Sequence, residues 1–350
     1  MAAAHTDFWE LERRNRRETA TLVVVFIALF TALGFGLDFR FGDLAIVDGS
    51  LTGFPLLTLI ALGFGILQSL LSYYGGAALV LASVRARELT PDTPQHQMVL
   101  DVVREMALAA RMPVPRAYLM DDPSPNAFAT GRNPNHSVVC VTQGLIDTMD
   151  REEVQGVLGH EMAHVRDYDI RTMMMIAVLV AGIAMLSDFV YRSMWYTGTV
   201  GGGGRSSRGR DDDSGEGNAG ALIGILVVVL AVLAPFFAQL LAMAVSRQRE
   251  YLADAASVEF TRNPRALLRA LERIAETESP LRNASRGTAH LFIVNPLQGA
   301  RDDEEGFFAD LFSTHPPLGR RIERLRAMLN EAGGAAPPAG PAAAAPTARG

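Results

Sequence analysis

Four long stretches with almost no charge, residues 19–37, 49–84, 172–196 and 221–245, decide what this chain can fold into. A bilayer core asks for about 20 consecutive apolar residues, and a helix meets that demand because it satisfies its own backbone. The chain therefore reads as an integral membrane protein with about four transmembrane helices. Arg13, Arg14, Arg16 and Arg17 stand immediately before the first stretch, which predicts a cytoplasmic segment 1–18. The acidic loop 38–48 suits the far side. The second stretch carries Tyr73-Tyr74-Gly75-Gly76, where it could end or break, and then meets Arg85 and Arg87. One crossing returns those arginines to the cytoplasm with everything that follows; two would put the next domain outside, and the charge bias favours one. The third stretch ends on Trp195 and Tyr196 and is weakened by Asp188 and Arg192, whereas the fourth is strongly apolar with Pro235 as a predicted kink.

Charge and cysteine usage remove other classes. The net charge is −6 with a pI near 5.7, so there is no basic footprint for nucleic acid. Cys140 is the sole cysteine, which rules out an intrachain disulfide or a cysteine-rich metal site. The N-terminal arginines and apolar run look superficially like a signal peptide, but no clear small-residue cleavage site follows, and the run reads as a retained anchor.

Between and after the spans lie two soluble segments, 85–170 and 246–330. The first opens with a helical pattern over 95–110. Strand candidates at 116–120, 126–130 and 137–141 follow, separated by Pro-, Asn- and Asp-rich turns, and predict a small antiparallel sheet. The fold class is α+β, mainly α-helical. Helices are expected over 264–276 and 319–330, a flexible external loop over 197–220, and a disordered Ala/Pro/Gly tail over 331–350.

The chemistry concentrates in residues 150–170. Asp150 and Glu153 form a capping-box start, and Val154, Val157, Leu158, Met162 and Val165 give a helically spaced apolar face. On that helix His160 and His164 stand one turn apart and can offer two imidazoles to one metal, with Glu161 beside them. A catalytic zinc takes three protein ligands and keeps one position open, and the adjacent carboxylate is placed to take a proton from water. The plainer reading is a surface helix with two histidines, and the capped helical context favours the metal. The third ligand is sought in residues 246–256, where Glu250 could reach the metal and Asp254, one turn on, could hold an imidazole. A surface Glu/Asp pair reads equally well from spacing alone. Asp167 and Asp169 compete as ligands but follow His164 so closely that neither carboxylate swings easily to the same metal.

The ordered set Pro125-Asn-Ala-Phe-Ala-Thr-Gly131, His160-Glu-Met-Ala-His164, Ser246-Arg-Gln-Arg-Glu-Tyr-Leu-Ala-Asp254, His290-Leu-Phe-Ile-Val-Asn-Pro296 and Ser313-Thr-His-Pro-Pro317 resembles the HtpX family of membrane-embedded zinc metalloproteases, relatives of the CAAX prenyl protease. The resemblance implies a gluzincin-type domain with one Zn²⁺ per chain, Glu250 as third ligand and Asp254 behind a ligating histidine. It further implies that His315 and Arg321 contact the substrate backbone and the developing oxyanion. Asn126, Ala127, Phe128 and Ala129 would form an edge strand that holds an extended peptide, the plainer alternative being an ordinary inner strand. The implied function is an endopeptidase of the cell membrane, its catalytic domain facing the cytoplasm, that cleaves misfolded or damaged membrane proteins under stress. Its partners would be unfolded polypeptides and membrane lipid. CAAX-type prenyl-protein cleavage ranks second, with no prenyl-recognition motif visible. A catalytically silent membrane scaffold ranks third, and the intact Glu161 argues against it.

Overall fold

The computed structural model describes residues 8–41, 44–47, 50–196, 247–277, 281, 288, 291–294 and 316–334. The expected loop 197–220, the fourth span, most of the tail and His315 lie outside them.

Helices α1 (Phe8–Phe41) and α2 (Leu56–Ser83) are the two described helices long and apolar enough to cross a membrane. α1 begins well before residue 19, so the arginine-rich segment is helical too. Residues 49–84 do not break at Tyr73–Gly76: after Pro55 they form one continuous helix. Pro55 supplies no side-chain cap, and Asp38 of α1 does so instead, accepting from the Leu57 and Thr58 amides at 2.9 and 2.6 Å. α2 leaves Leu59, Ile60, Leu67, Leu70 and Leu71 about half exposed, an apolar face suited to lipid. Its other face packs on α6 (Asp169–Tyr196), where a side chain at Gly76 would strike Met174 at 2.9 Å. Phe26 and Phe30 of α1 join Leu179 and Ile183 of α6 in a cluster that binds the three helices.

The sheet corrects the expected all-antiparallel arrangement. Strands β3 (Arg87–Glu88), β4 (Arg116–Met120), β5 (Ala127–Gly131) and β6 (Ser137–Thr142) lie in the order β3-β4-β6-β5, with β4 and β6 parallel and the other pairs antiparallel. A short hairpin, β1 (Ala45–Val47) with β2 (Ser50–Thr52), stands apart. Sequence adjacency suggests a meander, but β6 is apolar on both faces and takes the centre. Val139 and Val141 enter the main core, while Val138 and Cys140 enter a second cluster with Met120 and Phe128. β5 is left on the outside.

Helix α3 (Pro94–Ala109) is capped by Thr93, and α4 (Gln143–Thr148) by Thr142. They lead into α5 (Arg151–Arg166), α7 (Arg247–Thr261), α8 (Pro264–Ala275) and α9 (Leu318–Gly334). The expected capping box is present at α5: Asp150 accepts from the Glu153 amide and Glu153 from the Asp150 amide, both at 2.9 Å. α5 is buried along nearly its whole length, since α3, β5, α7 and α8 all pack on it. Gly156 permits the α8 contact, because a Cβ there would lie 2.4 Å from the Leu267 amide nitrogen.

Candidate metal centre

α5 ends at Arg166, and Tyr168 takes a left-handed conformation (φ 63°) that turns the chain before α6 begins at Asp169. This break matters to the site. One continuous helix would set Met173 roughly 14 Å beyond His164. Instead the turn folds α6 back, and Met173 lines the same cavity as His160, Glu161, His164 and Glu250.

The Nε2 atoms of His160 and His164 approach to 3.2 Å, and each lies 3.5 Å from an oxygen of Glu250. Among the described residues these three form the one buried group whose ligand atoms all fall within 4.8 Å of each other. Glu250 comes from α7, which packs along α5 with Ser257 hydrogen-bonded to the Gly156 carbonyl at 2.6 Å.

Each imidazole has its other nitrogen on a carboxylate. His160 Nδ1 meets Asp254 at 2.9 Å, the arrangement expected of Asp254. His164 Nδ1 meets Asp169 at 3.2 Å. The sequence reads Asp169 only as a competing ligand; the turn at Tyr168 instead aims it at the rear of the imidazole, away from Nε2. Two ligating imidazoles call for two acceptors, and that count was the signal available in the sequence.

The donor set fits a divalent cation. With both Nδ1 atoms donating to carboxylates, both Nε2 atoms present lone pairs to each other and to Glu250, which is repulsive unless a positive charge lies between them. Four buried carboxylates, Glu161, Asp169, Glu250 and Asp254, face two buried guanidiniums, Arg249 and Arg321. That excess of buried carboxylates favours a cation. Without a metal, burial lowers the pKa of His164, but the Asp169 hydrogen bond and the charges of Glu250, Asp169 and Glu161 outweigh it and raise it to about 9, so a metal binding at Nε2 displaces a proton. Burial raises Asp254, yet Arg321 and His160 hold it below its ordinary value. Glu161 is raised by burial and by Glu250, against the two histidines and a hydrogen bond from the Ala129 amide.

Arg321, on α9, is fully buried. Its guanidinium forks onto Asp254 at 3.0 and 2.6 Å and donates to the Ile293 carbonyl at 2.7 Å. Its Nη2 is nearly equidistant from the two ring nitrogens of His160, so it lies over the ring. Its Nη1 also lies 3.6 Å from Glu250 Oε2, although Arg321 is not among the residues lining the cavity.

Ala127, Phe128 and Ala129 lie on the outer strand and Asn126 just before it, but the edge at residues 126–128 is covered by the chain itself. Ile293 N–H donates to the Ala127 carbonyl at 2.9 Å, and Asn126 Nδ2 donates to the Val294 carbonyl at 3.0 Å. Phe292 pairs with Phe128, ring centroids 4.9 Å apart. Leu291, Phe292 and Ile293 thereby close one side of the metal cavity. The segment was part of the family-like pattern in the sequence, which assigned it no role.

The sequence model of Peptidase family M48 matches residues 93–329. The "Protease HtpX homolog" of Lactobacillus helveticus is 40% identical over 318 residues, 90% of this chain and 98% of its own length. That of Lactobacillus acidophilus is 41% identical over the same shares, and that of Dictyoglomus turgidum 38% identical over 92% of this chain and 95% of its own. Among solved structures, S. mikatae Ste24p aligns with 90% of this chain and 66% of that chain, at a TM-score of 0.46 and 17% identity.

Proposed function

The chain belongs to Peptidase family M48 and is a metalloprotease; on that footing we propose that it is a membrane-embedded zinc endopeptidase whose ligands are His160, His164 and Glu250 and whose proton carrier is Glu161. The convergence of two Nε2 atoms and one carboxylate in a cavity that Glu161 also lines carries this reading. Two imidazoles and a carboxylate form a common ligand set for catalytic zinc. Bound zinc supplies Lewis acidity, which brings ionisation of a water within reach of neutral pH. Glu161 accepts the proton of the attacking water and returns it to the departing amine. A raised pKa suits a carboxylate that must hold that proton between the two steps. Arg321 acts by positioning Asp254 and His160, and His315 is kept as the candidate donor to the oxyanion.

The substrate is an extended polypeptide that adds to the outer edge of β5. Ala129 lies on that strand and lines the metal cavity, which supports this edge as the peptide rest. Residues 291–294 hold the edge at Ala127 and Phe128, so a peptide that pairs along those residues must displace them. We place the site at the cytoplasmic surface of the cell membrane in a four-span protein. The arginines near the start of α1 and just after α2 support that orientation, and the position of Met173 and Met174 between the metal cavity and α2 supports closeness to the bilayer. Unfolded or damaged membrane proteins would supply such segments, as in quality control under stress.

The test is cleavage of an unfolded membrane protein by full-length enzyme, stripped by chelation and reloaded with zinc, wild type beside Glu161→Gln. Zinc should restore cutting by wild type, while the variant binds zinc and loses roughly 10²- to 10⁴-fold in rate. Equal cutting by both would remove Glu161 from the mechanism.

A further inference from the structure

Behind His164 the second carboxylate, Asp169, is itself held from outside the protease segments. Asn15, on α1 and 3% exposed, donates through Nδ2 to Asp169 Oδ1 at 2.7 Å and to the Asp167 carbonyl at 2.6 Å. Its Oδ1 accepts from Arg249 Nη1 at 3.1 Å. The amide has one workable orientation, because a flip would turn its oxygen toward a carboxylate and its NH₂ toward a guanidinium. Arg249 Nη1 also donates to Asp169 Oδ1 at 3.3 Å, and Arg249 immediately precedes the ligand Glu250 on α7. Asn15 therefore ties three elements together: α1, the turn that aims Asp169, and the helix that carries Glu250. One turn further along α1, Thr19 hydrogen-bonds Thr172 of α6 at 2.8 Å, which keeps α1 in register with that turn.

We propose that Asn15 is a positioning residue of the metal centre, acting through Asp169 on His164, so that the N-terminal membrane helix is a working part of the active site as well as an anchor. The proposal rests on the reading of His160, His164 and Glu250 as metal ligands. Its physical basis is that the acceptor behind a ligating imidazole fixes the ring's tautomer and direction, and Asp169 can do so only while its other oxygen is held. The buried network offers Asp169 Oδ1 two donors, the Asn15 amide and Arg249, and the amide makes the shorter contact.

The test measures zinc affinity of full-length protein in detergent by competition with a chromophoric chelator, for wild type, Asn15→Ala, Asn15→Asp, Asp169→Asn and the double variant Asn15→Ala/Asp169→Asn. Thr31→Ala, on the same helix with its hydroxyl donating to the Ile27 carbonyl at 2.8 Å, is the control. Both Asn15 variants should lose about 10- to 100-fold in zinc affinity, as outer-shell substitutions typically do. The double variant should lose little more than Asp169→Asn alone, because the two residues act in one chain. The control should bind like wild type. Wild-type affinity in folded Asn15→Ala, or fully additive losses in the double variant, would overturn the proposal. If Asn15→Ala does not fold, Asn15→Asp, which keeps the side-chain shape, decides by the same criterion. If wild type itself binds no zinc, the ligand assignment fails instead, and the two failures are told apart.

Discussion

His160 and His164 show how much of a metal site rests on atoms that never touch the metal. Each ring is fixed from behind by a different carboxylate, Asp254 at 2.9 Å and Asp169 at 3.2 Å, and Asp254 is in turn gripped by Arg321. The helical spacing of 160, 161 and 164 was plain from the sequence because it follows from 3.6 residues per turn. The role of Asp169 was not, because it depends on a left-handed residue at Tyr168 that local pattern does not reveal. Asp254→Asn should weaken zinc binding by about 10- to 100-fold while the protein still folds, measured by competition with a chromophoric chelator. Unchanged affinity would mean that Arg321 alone holds the His160 ring.

At the level of elements, the site is a meeting of α5, α7 and the outer strand β5. Gly156 lets α5 and α8 touch backbone to backbone, so Gly156→Ala should force them apart and destabilise the fold by about 1–3 kcal/mol, read from denaturant midpoints. A variant as stable as wild type would show that the helices can shift without cost. β5 was expected to be an edge strand, and the sheet order puts it on the outside. Its occupation by residues 291–294 could not be read from the sequence, because one antiparallel bridge between segments so far apart leaves no periodic signature. Ile293→Pro removes the N–H that donates to Ala127 but keeps the carbonyl that Arg321 holds. Loss of that hydrogen bond is worth about 1 kcal/mol, so cleavage of an unstructured peptide should rise about fivefold. No gain with zinc affinity intact would show that the segment does not compete with substrate.

Across the whole molecule, the proposed metal ligands come from helices on either side of α6 and of residues 197–246, so the centre forms only when distant parts of the chain assemble. Zinc should therefore bind the folded state far more tightly than the unfolded one and raise Tm as its free concentration rises, by about 2.7 kcal/mol of added stability at 100 times Kd. A Tm that does not move with zinc would mean that the site is absent or already satisfied without metal. The same assembly draws α1 into the centre through Asn15 and closes the cavity with Phe292.

What the chain alone determined was whatever follows from short-range geometry: the apolar lengths of α1 and α2, the capping box of α5, the spacing of His160, Glu161 and His164, and the strand positions near 116, 127 and 137. These depend on helix pitch, strand alternation and the few residues that cap or break them, all local to the backbone. Tertiary structure alone decided that β6 takes the centre and makes the sheet mixed, that Asp169 turns to the back of His164, that Arg321 is spent on Asp254, and that residues 291–294 lie along β5. Each of those depends on which buried surfaces and charges meet once distant segments pack, and that is settled by competition among many long-range contacts rather than by any one stretch of sequence.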